Sequence, residues 1–322
     1  WGKKNNWCYT RQYQMAIQIK FSVILQALKL LNGYGNKKVF QLVNKIGLNA
    51  FKGHSEESLI ELFADYNSNS LNPIPLDDLK ANIQKVFSIH ENSYKYGIKE
   101  LTLFDKEYPD QLRDLSSPPL ILYYRGNKKC LSDNNSIAII GSRKAKSEIL
   151  TLTNEYSFYL ATKNKTIVSG LAIGCDTAGH EGALKAKGKT IAVLPCGLDD
   201  TSISPRENIP LAKEIISSDG CLVSEYPVNF KATKYTFVER DRIQSGLSQS
   251  ILVMQTMFDG GTMHTYKYAK DQKRLIACYN VNIGGEEFSG NRAILENQED
   301  VISTKTMKDL DLLFDSQPQT LF

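Results

Sequence analysis

Apolar residues at Ile17, Phe21, Ile24, Leu25, Leu28 and Leu31 recur at the helical period and stop at Gly33, which predicts a first helix. Val39, Leu42, Val43 and Ile46 repeat the pattern after Gly35 and end at Gly47, predicting a second. The polar stretch Asn67-Ser68-Asn69-Ser70, with Pro73 and Pro75, marks a linker or irregular loop. From residue 137 the pattern changes. Short β-branched runs at Ile137–Ile140, Thr166–Val168, Thr190–Leu194, Cys221–Glu225, Ser250–Met254 and Arg274–Cys278 alternate with helix-length stretches over 145–164, 177–187, 208–218 and 262–272. Strands that are apolar on both faces and separated by helices predict an α/β fold with a doubly wound parallel sheet, preceded by a small helical domain.

Composition narrows the class. The 322 residues are 42% hydrophobic and 23% charged, an ordinary globular balance with room for two domains at about 150 residues each. The apolar runs fall far short of the ~18 residues a membrane span needs. The N-terminal Lys3, Lys4, Asn5 and Asn6 do not have a signal peptide's charged-then-apolar order, so the cytoplasm is the default location. The chain opens on Trp1, which leaves open a start further upstream. Six scattered cysteines with no C-x-x-C pair exclude a zinc ribbon and argue against a disulfide framework. The net charge of +4 is too small to imply nucleic acid. Its distribution is more telling: residues 1–136 hold 18 basic and 13 acidic groups, 137–292 hold 19 and 16, and 293–322 hold 2 and 6. A mildly basic body with an acidic tail permits a local anion site.

Chemistry is expected in the turns that follow the strands, where doubly wound sheets bind ligands. Gly141-Ser142-Arg143-Lys144 offers a close backbone approach, a hydroxyl that can cap the next helix and a bidentate phosphate donor. It is not G-x-G-x-x-G, so no dinucleotide cofactor is expected, and a plain structural turn is the alternative. Gly170 to Asp176, followed by His180, suits an anion pocket or a capped helix. No nucleophile completes a catalytic set there, and a structural role for His180 is preferred. Lys234-Tyr235-Thr236-Phe237-Val238-Glu239-Arg240-Asp241-Arg242, read as preceding a strand, interleaves cations with aromatics as a single-stranded nucleic-acid surface does; a solvated helix start with Phe237 in the core is the alternative. Asp259-Gly260-Gly261-Thr262 is a further glycine turn at a helix start. Leu31 to Lys38 resembles a helix-hairpin-helix turn, or equally two helices joined through glycine.

Taken together these segments resemble the DNA-processing protein A (DprA/Smf) family. The likeness runs through Tyr108-Pro109, Pro118-Pro119-Leu120, Ile140-Gly141-Ser142-Arg143, Ser169-Gly170-Leu171-Ala172, Gly197-Leu198-Asp199, Ser224-Glu225-Tyr226-Pro227, Phe237, Arg240, Arg242, Ser245-Gly246-Leu247-Ser248 and Gly290-Asn291. It implies a helical domain over 1–92, helix-hairpin-helix- or SAM-like, and an extended Rossmann-like domain over 93–322. It further implies a homodimer that binds single-stranded DNA without cutting it, protects it and delivers it to a RecA-type recombinase in DNA uptake, recombination or defence. Gly141, Ser142, Arg143 and Lys234 would hold phosphates and Phe237 would stack on a base. Lys144, Gly170, Arg240, Arg242, Gly260 and Gly261 join the expected nucleic-acid surface, with Lys187 and Lys189 at a basic helix end near the same pocket. No catalytic residue, cofactor or metal is expected.

The chain departs from the family pattern in several places. Asp241 stands where the family shows asparagine, Gln255 where it shows glutamate, Gly260-Gly261-Thr262 where it shows serine-glycine-serine, and the proline-glycine after the last strand is replaced by Tyr279-Asn280. The tail after Asn291 is too short for the winged helix some members carry. The rival reading is a nucleotide sensor or N-glycoside hydrolase of the same superfamily. In such hydrolases a glutamate closely follows the glycine-glycine-threonine turn, whereas here no acid occurs until Asp271.

Overall fold

Glycines and a serine cap divide the N-terminal region into helices. The computed structural model describes residues 19–280, 285–296 and 300–315, so Ile17 lies outside the described residues. The chain separates into two compact units: Trp1–Asn92 with Pro119–Ile121, and the remainder. In the first, α1 (Phe21–Lys29) and α2 (Asn36–Ile46) follow the apolar periodicity, and α3 (Glu56–Ser68) and α4 (Leu76–Lys95) complete the element order. Ser55 caps α3 by accepting the Ser58 N–H at 3.3 Å. Ile24, Leu25, Leu28, Val39, Phe63 and Leu79 are all fully buried. Phe51 packs its ring 5.6 Å from Phe21 and 6.0 Å from Phe63. The expected linker is not loose: Asn67 belongs to α3, and its side chain donates to the Ile74 carbonyl at 2.8 Å and accepts the Ile74 N–H at 2.7 Å. Between α1 and α2, Gly33 takes φ +75°, and Lys37 and Lys38 open α2 with Lys38 exposed.

The second unit is the doubly wound α/β fold that the strand–helix alternation predicts. Its strands are β1 (Lys99–Thr102), β2 (Ile121–Gly126), β3 (Ser136–Ile140), β4 (Thr166–Ser169), β5 (Thr190–Leu194), β6 (Cys221–Ser224), β7 (Ser250–Val253), β8 (Leu275–Tyr279) and β9 (Val301–Thr304). They form one sheet in the order β1-β2-β6-β5-β4-β3-β7-β8-β9. From β6 to β9 every neighbouring pair is parallel, while β2 runs antiparallel to β6. Every residue of β3, β4, β5, β6 and β7 is buried, which accounts for their unbroken apolar runs. Helices α5 (Asp110–Arg113), α6 (Ser147–Thr162), α7 (Cys175–Lys185), α8 (Ile209–Ser217), α9 (Lys234–Gly246), α10 (Thr262–Asp271) and α11 (Ser289–Glu296) lie between strands, and α12 (Leu312–Asp315) follows β9. Ile137, Ile139, Tyr156, Leu160 and Leu252 belong to one buried cluster against the sheet.

Two elements depart from the apolar pattern. Residues 234–246 form the 13-residue helix α9, as the helix-start alternative has it, but with Phe237 only half-buried and not in the core. Its buried side includes Arg240, Asp241, Arg242 and Gln244, so no hydrophobic period announces it. The short strand β1 is hidden because only Leu101 and Thr102 of its residues are buried, too few to set a period. For the site, the decisive feature is strand order: β3 and β7 are neighbours, and the connection from β3 runs to β4 on one side while that from β7 runs to β8 on the other, which opens a crevice at their carboxyl ends.

Candidate nucleic-acid interface

A cavity of about 500 Å³ occupies that switch point. Its wall is built from the β3–α6 turn, the β7–α10 turn and one face of α9. The two turns are bolted together: the Ser142 N–H donates to the Gln255 carbonyl at 2.7 Å, and the Gln255 side-chain oxygen accepts the Lys146 N–H at 3.1 Å. Asn291 braces the β7 end by accepting the Thr256 N–H at 2.8 Å and donating to the Met254 carbonyl at 2.9 Å.

The glycines serve this internal fit first. A Cβ at Gly174, which has φ +87°, would stand 2.4 Å from the Ser142 carbonyl oxygen, so the β4–α7 turn can lie against the β3–α6 turn only as glycine. A Cβ at Gly170 would overlap the Arg240 guanidinium, so Gly170 forms a slot for that side chain, and it is not among the residues that line the cavity. Ser142 closes its own turn by accepting the Lys144 N–H at 3.0 Å, and the residue preceding α6 is Lys146, so Ser142 is not the helix cap.

Charge is arranged in two levels. At the mouth, Arg143 is exposed and its guanidinium carbon lies 4.7 Å from the centre of the half-buried Phe237 ring. Below, Arg240 is 5% exposed, donates to the Val193 carbonyl at 2.9 Å and pairs through Nε with Asp241 at 3.1 Å. Asp176 shares the floor and accepts the Ala172 N–H at 3.2 Å, so it braces its turn and does not cap α7. Burial raises the carboxyl of Asp176 above its ordinary range, with Arg240 opposing. Burial likewise pushes Asp241 up to about 6, against the pull of Arg240 and with Asp176 adding to the rise. Lys146 forms an ion pair with Glu287, another lining residue, at 2.5 Å.

The expected residues therefore divide. Gly141, Ser142, Arg143, Lys144, Phe237, Arg240, Gly260 and Gly261 line one cavity. Lys234 is exposed at the start of α9, outside the lining. Arg242 lies elsewhere: it is buried, paired with Glu225 at 2.6 Å and Glu239 at 3.7 Å, and outside the cavity lining. Lys187 and Lys189 follow α7 and precede β5, which sets them at the amino-terminal edge of the sheet, opposite the cavity. His180 is buried, its Nδ1 bonded to the Thr190 hydroxyl at 2.7 Å, and burial with Arg240 lowers it to about 3, so it stays neutral near pH 7. Sequence reasoning missed Asp241, Gln244, Gln255, Thr265 and His264 as lining residues. The spacing 237, 240, 241, 244 would have found part of that set once the segment was read as a helix.

The family model for DNA recombination-mediator protein A matches residues 99–311. The chain belongs to this family. Protein Smf of Borreliella burgdorferi is 29% identical over 294 residues, covering 91% of this chain and 84% of that protein. Protein Smf of Synechocystis is 35% identical over 219 residues, and the DNA processing protein DprA of Bacillus subtilis is 35% identical over 178. Those two matches take in 67% and 55% of this chain, and the chain spans only 54% and 59% of these relatives' lengths. The structure of DprA from Streptococcus pneumoniae superposes with a TM-score of 0.72 at 22% identity over 92% of this chain and 98% of its own, a likeness of fold. DprA from Helicobacter pylori, described for its single-stranded DNA binding mode, gives a TM-score of 0.59 at 27% identity over 68% of this chain and 97% of its own. No described helix is long and apolar enough to cross a membrane.

Proposed function

We propose that the switch-point cavity binds single-stranded DNA, with phosphates held by Arg143 and the β3–α6 turn and a base stacked on Phe237. The observation that carries this reading is the exposed Arg143 guanidinium lying 4.7 Å over a half-buried aromatic ring at a cavity mouth. Cation and ring side by side suit a charged backbone with unstacked bases. A volume of about 500 Å³ falls within the ~300–1,000 Å³ of small-ligand pockets, room for an extruded base that a duplex keeps in its stack. The reading extends, on the family likeness, to a cytoplasmic homodimer that protects the strand and hands it to a RecA-type recombinase. It acts by binding, without turnover.

Fluorescence anisotropy with a labelled single strand, its duplex and increasing salt tests the core of the reading. Tighter binding to the single strand, weakening linearly in log salt, is expected. Equal affinity for duplex and single strand overturns it, and product release from DNA or nucleoside phosphates overturns the absence of turnover.

A further inference from the structure

The β7–α10 turn, one wall of the cavity, leaves two large apolar side chains in the open. Met257 lines the cavity and is 42% exposed, and its neighbour Phe258 is 66% exposed. Exposed apolar residues are ordinary when scattered singly, but here two adjacent ones stand at the rim of a cavity. The backbone beneath them is firmly held. The Phe258 N–H donates to the Ser289 hydroxyl at 3.0 Å, and the Gly290 N–H donates to the Thr256 carbonyl at 3.0 Å. Within the turn, the Gly260 N–H donates to the Met257 carbonyl at 3.0 Å. A Cβ at Gly290 would stand 2.7 Å from that same carbonyl oxygen, so the start of α11 abuts the turn. An ordered turn thus presents an exposed ring, and a flat ligand seated on it meets a surface that needs little further ordering.

Charge decides which part of a strand meets this turn. Residues 256–262 hold no lysine or arginine, and the exposed Asp259 follows Phe258 directly. The exposed cations of the lining, Arg143 and Lys144, belong to the β3–α6 turn. A phosphate is drawn to those cations and repelled by Asp259, whereas a neutral base finds apolar surface at Met257 and Phe258. We infer that Phe258 is a second base-stacking platform. With one base on Phe237 and the backbone along Arg143 and Lys144, a further base of the same strand lies against the Phe258 ring, and Met257 adds apolar surface beside it. This step rests on the single-stranded DNA reading of the cavity. Stacking needs only a π-face, so the platform adds affinity for any base.

Anisotropy with a labelled oligothymidine of about 20 nucleotides tests the inference on Phe258→Ala, Phe258→Leu and Phe258→Trp beside the unaltered protein. The alanine and leucine variants should each bind about five-fold more weakly or worse, as expected for a lost base stack. Phe258→Trp should bind at least as tightly as the unaltered protein. The log-salt slope should stay the same in all three, because no phosphate contact is removed. Melting temperatures should move by no more than a few degrees, since the ring is largely exposed. Full affinity in Phe258→Leu overturns stacking, because leucine keeps apolar surface without a π-face. Full affinity in Phe258→Ala, with Phe237→Ala weakened, removes Phe258 from the site and leaves the cavity reading intact. A change of oligomeric state in Phe258→Ala, measured by sedimentation velocity, assigns the ring to a contact between copies of the chain and overturns the inference. Failure of the unaltered protein to bind the oligomer defeats the single-stranded DNA reading itself.

Discussion

Arg240 and Arg242 stand two positions apart on α9, are equally buried, and serve different regions of the molecule. At about 100° per residue their side chains leave the helix on nearly opposite sides. Phe237, Arg240, Asp241 and Gln244 fall at i, i+3, i+4 and i+7 and form the cavity face. Arg242 points instead to Glu225 and Glu239 and is committed to holding α9 against the strand end at Glu225. A run of cations and rings is thus two functions interleaved, one for a ligand and one for the fold. The helical period separates them, and charge counting cannot.

The strongest way to break this comparison is to remove Arg242. Arg242→Ala removes the buried guanidinium that pairs with Glu225 at 2.6 Å, and a loss of about 3–5 kcal/mol in urea unfolding is expected. Single-strand affinity of the folded fraction should remain within about two-fold. Intact stability with lost affinity would instead return Arg242 to the binding surface.

Asp241 gives the next effect, through pH. Its folded value of about 6 lies above the ordinary ~3.9, so the folded state holds the proton more tightly. The stability it contributes is complete below pH ~4 and is lost as pH rises through about 6, by at most ~3 kcal/mol at ~1.4 kcal/mol per unit. Asp241→Asn should flatten this fall between pH ~4 and ~7, measured by chemical unfolding across the range. An unchanged slope would mean that Asp241 is not the titrating group.

The mouth should affect binding and leave stability alone. Phe237→Ala should cost about 1–3 kcal/mol of oligonucleotide affinity and shift the melting temperature by only a few degrees, because the ring is half-exposed. A large melting shift with preserved affinity would place Phe237 in the core. Arg143→Ala should cost about 1–3 kcal/mol and lower the log-salt slope by about one. An unchanged dissociation constant would remove Arg143 from the site. The smallest effect is expected from Lys187→Ala with Lys189→Ala: affinity within about two-fold, since both residues lie at the far edge of the sheet. A larger loss would show that the bound strand wraps around to that edge.

The parallel sheet was legible because β3 to β7 are buried on both faces, and short β-branched apolar runs spaced by helices rarely arise in any other architecture. The glycine–serine–arginine turn was equally legible, since a strand, a glycine and a helix in succession already place a turn at the sheet's carboxyl end. The purpose of the glycines was not, because close backbone approach reads the same whether the neighbour is a phosphate or, as at Gly174, another turn of the same chain. Helix α9 was legible only as a helix start among alternatives, because its buried side is charged and amide-rich and hydrophobic periodicity registers only apolar burial. From the sequence alone came the architecture and the strand ends where chemistry gathers, both set by local patterning. Tertiary structure alone decided which arginine meets the cavity and which meets Glu225, and that Asp241, Gln244 and Gln255 converge on one floor. Those outcomes depend on contacts between residues far apart in the sequence, 109 positions in the case of Lys146 and Gln255, which no local pattern encodes.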